Sequence, residues 1–196
     1  LSHKEPDKVP FSDFFWLTFI ERWQQELGLP KDASPYYYYD LDWIVTTPNM
    51  DPHIKSFEII SDNDGDMVVK TGFEAVIRHR DGRQMPYFEH FETDTIDKMQ
   101  AFEFEDPWDE RRFFKGGDNQ IAGVSEVITR NSPPWIDTVK SLHPDFPVYG
   151  SVCETQEEGW RIIGSENMLL WMGLYPDELG RFLKRVGEFN LELVKA

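Results

Sequence analysis

The fold is decided by residues 57–91, whose sequence is FEIISDNDGDMVVKTGFEAVIRHRDGRQMPYFEHF. Short runs rich in valine, isoleucine and aromatic residues alternate here with two polar turns, at 62–66 and 80–83. An Asp-Gly pair between apolar runs is a strong signal for a β-hairpin. The spacing therefore predicts an antiparallel meander of three or four strands over about 56–91.

The first of these turns also has the acidic spacing with which a calcium-binding loop begins. Asp62, Asp64 and Asp66 alternate with other residues, but no glycine and glutamate complete the loop at the required positions. A hairpin turn is the interpretation that the sequence favours.

The segments on either side of the meander mix strands with helices. Residues 9–15 and 147–153 are short, apolar runs of the kind that form buried parallel strands. Apolar residues at a spacing of three to four predict helices in several other places. These are 16–27, 94–104, 106–114, 135–142, 166–172 and from 176 to the end of the chain. The pattern indicates the α/β class, and the last helix ends without a capping residue, as expected of a truncated chain.

The charge of the chain excludes several classes of partner. The formal net charge is −16, which repels phosphate backbones and anionic membranes, and the sequence has no basic patch to offset it. No apolar run approaches the roughly 20 residues that a membrane-spanning helix needs. The single cysteine, Cys153, excludes an intrachain disulfide and fits a reducing compartment. Since no signal peptide is visible, we expect a cytoplasmic protein.

Three parts of the chain together resemble the uroporphyrinogen-decarboxylase-like family. Residues 5–10, EPDKVP, are similar to the segment that opens the family's first barrel strand. The turn at 81–86, DGRQMP, is similar to one found in methyltransferase-like branches. The third part combines PVYG at 147–150, RIIGSE at 161–166 and YPDEL at 175–179, which resemble a strand and two helix starts of the family. The resemblance implies the N-terminal part of a (β/α)₈ TIM-type barrel, incomplete within 1–196, with the meander as an insertion.

Within that family the sequence favours a corrinoid-linked methyltransferase over a decarboxylase of tetrapyrrole biosynthesis. The family's decarboxylases follow the first strand with an arginine-rich segment that grips substrate carboxylates, whereas here DFFWLT stands at 13–18. The methyltransferases use zinc, held by an H-x-C pair and a later cysteine, and act on a corrinoid or corrinoid protein. This chain has no H-x-C pair, so zinc and the corrinoid are expected only in a full-length parent, and the chain alone is expected to be inactive.

The resemblance also places candidate substrate-binding residues. Active sites of such barrels collect at the carboxyl ends of the strands, where Asp13, Cys153 and Glu154 are expected. Arg22, the nearest arginine to the first strand, and Arg161, expected to pair with Glu166, complete the set. The pattern assigns no catalytic residue and no metal ligand within the chain.

A different class of function stays open at this point. An acidic, aromatic-rich binding module without catalysis also explains the charge and the lack of a catalytic motif. An incomplete barrel would expose strand edges, which favours self-association.

Overall fold

The computed structural model describes residue 5 and residues 7–54, 58–80, 86–113 and 134–196. Its helices and strands confirm a mixed α/β protein with one parallel and one antiparallel sheet, and the described residues form no closed barrel. No helix in these ranges is both long and apolar enough to cross a lipid bilayer. By its contacts the chain divides into two compact units, Leu1–Thr46 with Ile136–Gly150 and Thr47–Trp135 with Ser151–Ala196.

The first unit combines three helices with a two-stranded parallel sheet. Its helices are α1 (Leu17–Leu27), α2 (Pro35–Tyr38) and most of α4 (Trp135–Leu142), and its strands are β1 (Ile44–Thr46) and β6 (Val148–Gly150). Ile44 pairs with Val148 and Thr46 with Gly150. Aromatic rings hold this unit together: buried Trp23 of α1 donates its indole N–H to the Tyr39 hydroxyl at 2.9 Å.

The predicted strand at 9–15 is wrong, because these residues form neither helix nor strand before α1 begins. The Asp42 carboxylate accepts the Phe11 N–H at 2.9 Å, so a side chain occupies the place of a neighbouring strand's carbonyl. Val9 and Phe14 are 85% and 69% exposed, unlike residues of a buried strand. The parallel partner of β6 is β1 instead, and the strand predicted at 147–153 is confirmed over Val148–Gly150.

The second unit contains the meander, which is confirmed. Its strands are β2 (Glu58–Asn63), β3 (Asp66–Lys70), β4 (Ala75–Arg80) and β5 (Tyr87–Phe91), paired antiparallel in that order. Asp64 and Gly65 join β2 to β3 with φ values of 46° and 89°. Positive φ at both central residues is the geometry of a tight hairpin turn, so the hairpin interpretation of the acidic triplet is confirmed. The second turn, with the DGRQMP motif, lies largely outside the described residues.

The helical elements of this unit follow the sheet in the sequence. They are α3 (Ile96–Ala101), a 3₁₀ turn at Glu110–Phe113, α5 (Thr155–Ile163), α6 (Ser165–Leu174) and α7 (Pro176–Lys195). The predicted helix at 94–104 is shorter than expected, and the one at 106–114 is only the 3₁₀ turn. Helix α5 was not predicted. The core of the unit joins Phe73 to residues from α3, α5, α6 and α7, namely Met99, Ile162, Ile163, Met168, Trp171, Leu179, Phe182 and Val186.

Among the described glycines of this unit, Gly72 makes the closest approach to other backbone, and this generates a stability prediction. A Cβ atom there would lie 2.2 Å from the His53 carbonyl oxygen and 2.6 Å from the Asp51 Cβ. Because both contacts involve buried atoms that cannot swing away, Gly72→Ala should lower the free energy of unfolding by roughly 2–3 kcal/mol. Urea denaturation followed by circular dichroism measures the change.

The matched control is Gly180→Ala on α7, where a Cβ would meet nothing within 4 Å. This substitution should raise the free energy of unfolding by about 0.5–1 kcal/mol, because alanine loses less backbone entropy in a helix. Equal effects of the two substitutions would contradict the close approach at Gly72.

Candidate functional site

Five polar side chains lie in or at the edge of the apolar interior of the second unit. Asp51, Arg112, Glu158 and Asn190 are at most 6% exposed, and the Arg161 side chain is 11% exposed. We call these five residues the buried polar cluster. Charged side chains are rarely buried so completely unless they have a specific role, so the cluster is the candidate site.

Arg112, at the 3₁₀ turn, holds two irregular segments of backbone. Its guanidinium donates to five carbonyl oxygens, at distances from 2.6 Å at Asp51 to 3.5 Å at Glu105. The other three belong to Asn49, Pro52 and Asp106. The guanidinium also lies 5.0 Å from the centre of the Phe189 ring on α7. A planar group with five donors satisfies loop carbonyls that helix or sheet pairing does not.

Asp51 and Glu158 place two carboxyl groups in the same interior. None of their four oxygen atoms accepts a well-formed hydrogen bond from the described residues. The nearest donors are the Gly72 N–H for Asp51 and the Asn190 amide for Glu158. Burial raises the pKa of Glu158 from 4.5 to about 8 and that of Asp51 well above its usual range. Arg112 and Arg161 oppose both shifts but do not cancel them, because desolvation is the larger effect.

Asn190 connects this cluster to the segment that follows β6. Its Nδ2 group donates to the Cys153 carbonyl at 3.0 Å, and the Cys153 N–H donates to the Met50 sulfur at 2.9 Å. The Oδ1 atom of Asn190 is buried and has no other partner among the described residues. The Asn190 amide lowers the pKa of Glu158, but burial outweighs this effect and raises it.

The structure brings two of the sequence-predicted residues, Cys153 and Arg161, to this cluster. Burial, with a further contribution from Glu157, raises the pKa of the Cys153 thiol to about 12. A thiol that keeps its proton is a poor nucleophile and a poor zinc ligand. Arg161 pairs with Glu157 at 2.5 Å, so the expected pairing with Glu166 is wrong. It fails because Gly164, with a φ of 85°, ends α5, so Arg161 and Glu166 lie on different helices.

The other predicted residues lie at the surface of their units. Glu154 is exposed and immediately precedes α5. Asp13 is exposed and accepts the Phe14 N–H at 2.8 Å. Arg22 is 70% exposed and lies 3.6 Å from Glu26, one turn along α1. Asp13 and Arg22 belong to the first unit, while Glu154 belongs to the second.

Four members of the cluster were missed from the sequence, although two of them left a signal. Glu158 precedes Ile162 by four residues, and Asn190 follows Val186 by four. A polar residue at that spacing lies on the buried face of its helix. Asp51 and Arg112 left no signal, because their partners are backbone atoms of loops.

The raised pKa values of Asp51 and Glu158 favour the protonated forms of both carboxyl groups in this cluster. Among the described residues no group of three or more His, Cys, Asp or Glu side chains is arranged to hold a metal ion.

Comparison of the chain with protein-family models, curated proteins and solved structures finds no match. The resemblance stated above therefore stays a prediction.

The raised pKa of Glu158 predicts how stability changes with pH. Between about pH 5 and pH 8 the folded protein keeps a proton that the unfolded chain has released, so the free energy of unfolding falls as pH rises. Glu158→Gln removes this ionisation and keeps a polar side chain of the same size. It should reduce the fall and be at least about 1 kcal/mol more stable than the unchanged protein at pH 8.5, since each pKa unit corresponds to about 1.4 kcal/mol.

Urea denaturation at several pH values tests this, with Glu154→Gln as the control, because Glu154 is an exposed carboxylate at the start of the same helix. Asp51 contributes in the same direction, so adding Asp51→Asn should flatten the profile further. An unchanged slope in Glu158→Gln would show that Glu158 is ionised in the folded protein.

Proposed function

We propose that the chain is the N-terminal portion of a uroporphyrinogen-decarboxylase-like enzyme, of the corrinoid-linked methyltransferase branch. Its parallel strands would then belong to a (β/α)₈ barrel that the rest of the parent enzyme completes. Two features support this. Strands β1 and β6 pair in parallel, and the chain after β6 continues into helix α5, the strand-then-helix order of such barrels.

The observation that favours methyl transfer over decarboxylation is that the arginine side chains already have partners within the protein. Every arginine in the described residues contacts a protein oxygen acceptor, and even the exposed Arg22, Arg80 and Arg181 would have to share or give up that partner to hold a polycarboxylate. The described arginines are Arg22, Arg78, Arg80, Arg111, Arg112, Arg161, Arg181 and Arg185. Arg83 and Arg130 lie outside the described residues. A net charge of −16 adds a general repulsion of anionic substrates.

Zinc does not fit the described residues of this chain. The lone thiol, Cys153, would have to lose a proton whose pKa is about 12, and no second ligand set accompanies it. The proposal therefore assigns zinc and the corrinoid to the remainder of the parent enzyme. Asp13 and Glu154, both exposed, are the residues of this chain that we assign to substrate contact.

The test compares residues 1–196 with the full gene product that contains them. We expect the full product to demethylate methylcobalamin in the presence of a thiol and Zn²⁺, measured by the change in the corrinoid absorption spectrum. Residues 1–196 alone should give no turnover, because a barrel site draws its groups from strand ends around the whole ring. Uroporphyrinogen should be unchanged by either protein.

Variants of the full product then test the assigned residues. Asp13→Asn and Glu154→Gln should each lower kcat/KM about tenfold, since a hydrogen bond to a charged group contributes about 1.5–3 kcal/mol. Glu26→Gln, an exposed change outside the proposed site, should leave it unaltered. Decarboxylation of uroporphyrinogen would contradict the proposal within the enzyme class. No turnover of either substrate by the full product would favour the acidic binding module instead.

A further inference from the structure

A cleft of about 380 Å³ opens on the second unit, between strand β5 and the junction of α5 and α6. Four aromatic residues line it, Tyr87, Phe88 and Phe91 from β5 and Trp160 from α5. Two carboxylates, Glu89 and Glu166, accompany them, and its remaining residues carry no charge. A volume near the lower end of the range for ligand pockets fits a small molecule.

The aromatic rings form a connected group rather than isolated surface residues. Phe88 stacks on Phe91 with ring centres 5.5 Å apart and planes 4° apart, and it meets Trp160 edge to face at 5.4 Å. Tyr87 is 71% exposed. The face of an aromatic ring carries partial negative charge, so a group of such rings attracts a cation that comes within about 6 Å.

The two charged side chains that line the cleft, Glu89 and Glu166, are negative, as are the faces of the aromatic rings. Glu166 makes no ion pair with any described residue, whereas Glu89 shares its carboxylate with Arg78 at 2.5 Å. The amino end of α6 brings a partial positive charge to the junction, and the carboxyl end of α5 brings a partial negative charge to the same place. Trp160 already interacts with one cation, since the Arg161 guanidinium lies 5.5 Å from its ring.

We propose that this cleft binds a small, free, substituted ammonium cation, with the rings contacting its alkyl groups and Glu166 balancing its charge. A quaternary ammonium has no N–H group to leave without a partner, so its attraction to ring faces and a carboxylate costs little desolvation. Glu166, which has no ion-pair partner among the described residues, disfavours an anion of similar size. The inference does not depend on the proposed methyltransferase function.

The experiment compares choline with 3,3-dimethyl-1-butanol, its uncharged counterpart of the same shape, by isothermal titration calorimetry on the protein. Choline should bind with a Kd in the millimolar range and about fivefold more tightly than the alcohol, because an exposed cation–π contact contributes about 1 kcal/mol. Glu166→Gln should weaken choline about threefold without affecting the alcohol. Glu188→Gln, an exposed change on α7, should alter neither.

A second pair of variants tests the rings. Tyr87→Leu keeps an apolar side chain and should reduce the preference for choline, while Tyr175→Leu, outside the cleft, should not. Circular dichroism confirms that each variant is folded.

Four outcomes would overturn the inference. These are equal binding of choline and the alcohol, no binding of choline at 50 mM, tighter binding of inorganic phosphate than of choline, and an equal loss of choline binding in Glu166→Gln and Glu188→Gln. Sedimentation of the protein with phosphatidylcholine vesicles would also overturn it, since the ligand would then be a lipid headgroup.

Discussion

The second unit depends on one interaction, the burial of the Arg112 guanidinium among backbone carbonyls. The segments at 49–52 and 105–106 have no ladder or helix to satisfy their carbonyl groups, and burying such groups unpaired is costly. Arg112 supplies donors to both segments at once. A lysine has three donors on a single atom and could not span these acceptors. The irregular backbone at 49–52 is therefore held by Arg112, a side chain that comes after the meander in the sequence.

Burial, and not the positive charge of Arg112, explains why the two acids beside it favour their protonated forms. Removing a carboxylate from water costs more than two neighbouring guanidinium groups return, because those groups already have partners of their own. Arg112 is bound to carbonyls and Arg161 to Glu157. A proton is then the least costly way to neutralise Asp51 and Glu158. Asn190, whose amide lowers the pKa of Glu158, also donates to the Cys153 carbonyl of the segment after β6.

The sequence correctly predicted those helices and strands that are determined by residues close together in the chain. The β2–β3 hairpin follows from Asp64 and Gly65, and α7 follows from its apolar spacing. Helix α5 was missed because Gly159 weakens a helical pattern, although that glycine is what lets Leu183 and Met168 pack closely against the helix. The segment at 9–15 has the composition of a strand, but no pattern within it reveals that Asp42, about 30 residues later, takes the place of a strand neighbour. The buried polar cluster joins residues from four separate parts of the chain, and such long-range contacts leave little trace in a single sequence.

The acidity of the chain has a structural consequence beyond solubility. Several arginines of the described residues are bound within the protein, Arg112 and Arg185 by carbonyls and Arg78 and Arg161 by carboxylates. What remains at the surface is an excess of negative charge, which raises the local concentration of cations and lowers that of polyanions. A substrate with many carboxylates would meet this field on approach, whereas a small organic cation would be drawn towards it and could be retained where ring faces add to the attraction. The same distribution of charge thus weighs against porphyrinogen decarboxylation and in favour of a cation at the aromatic cleft, although the two inferences rest on different residues.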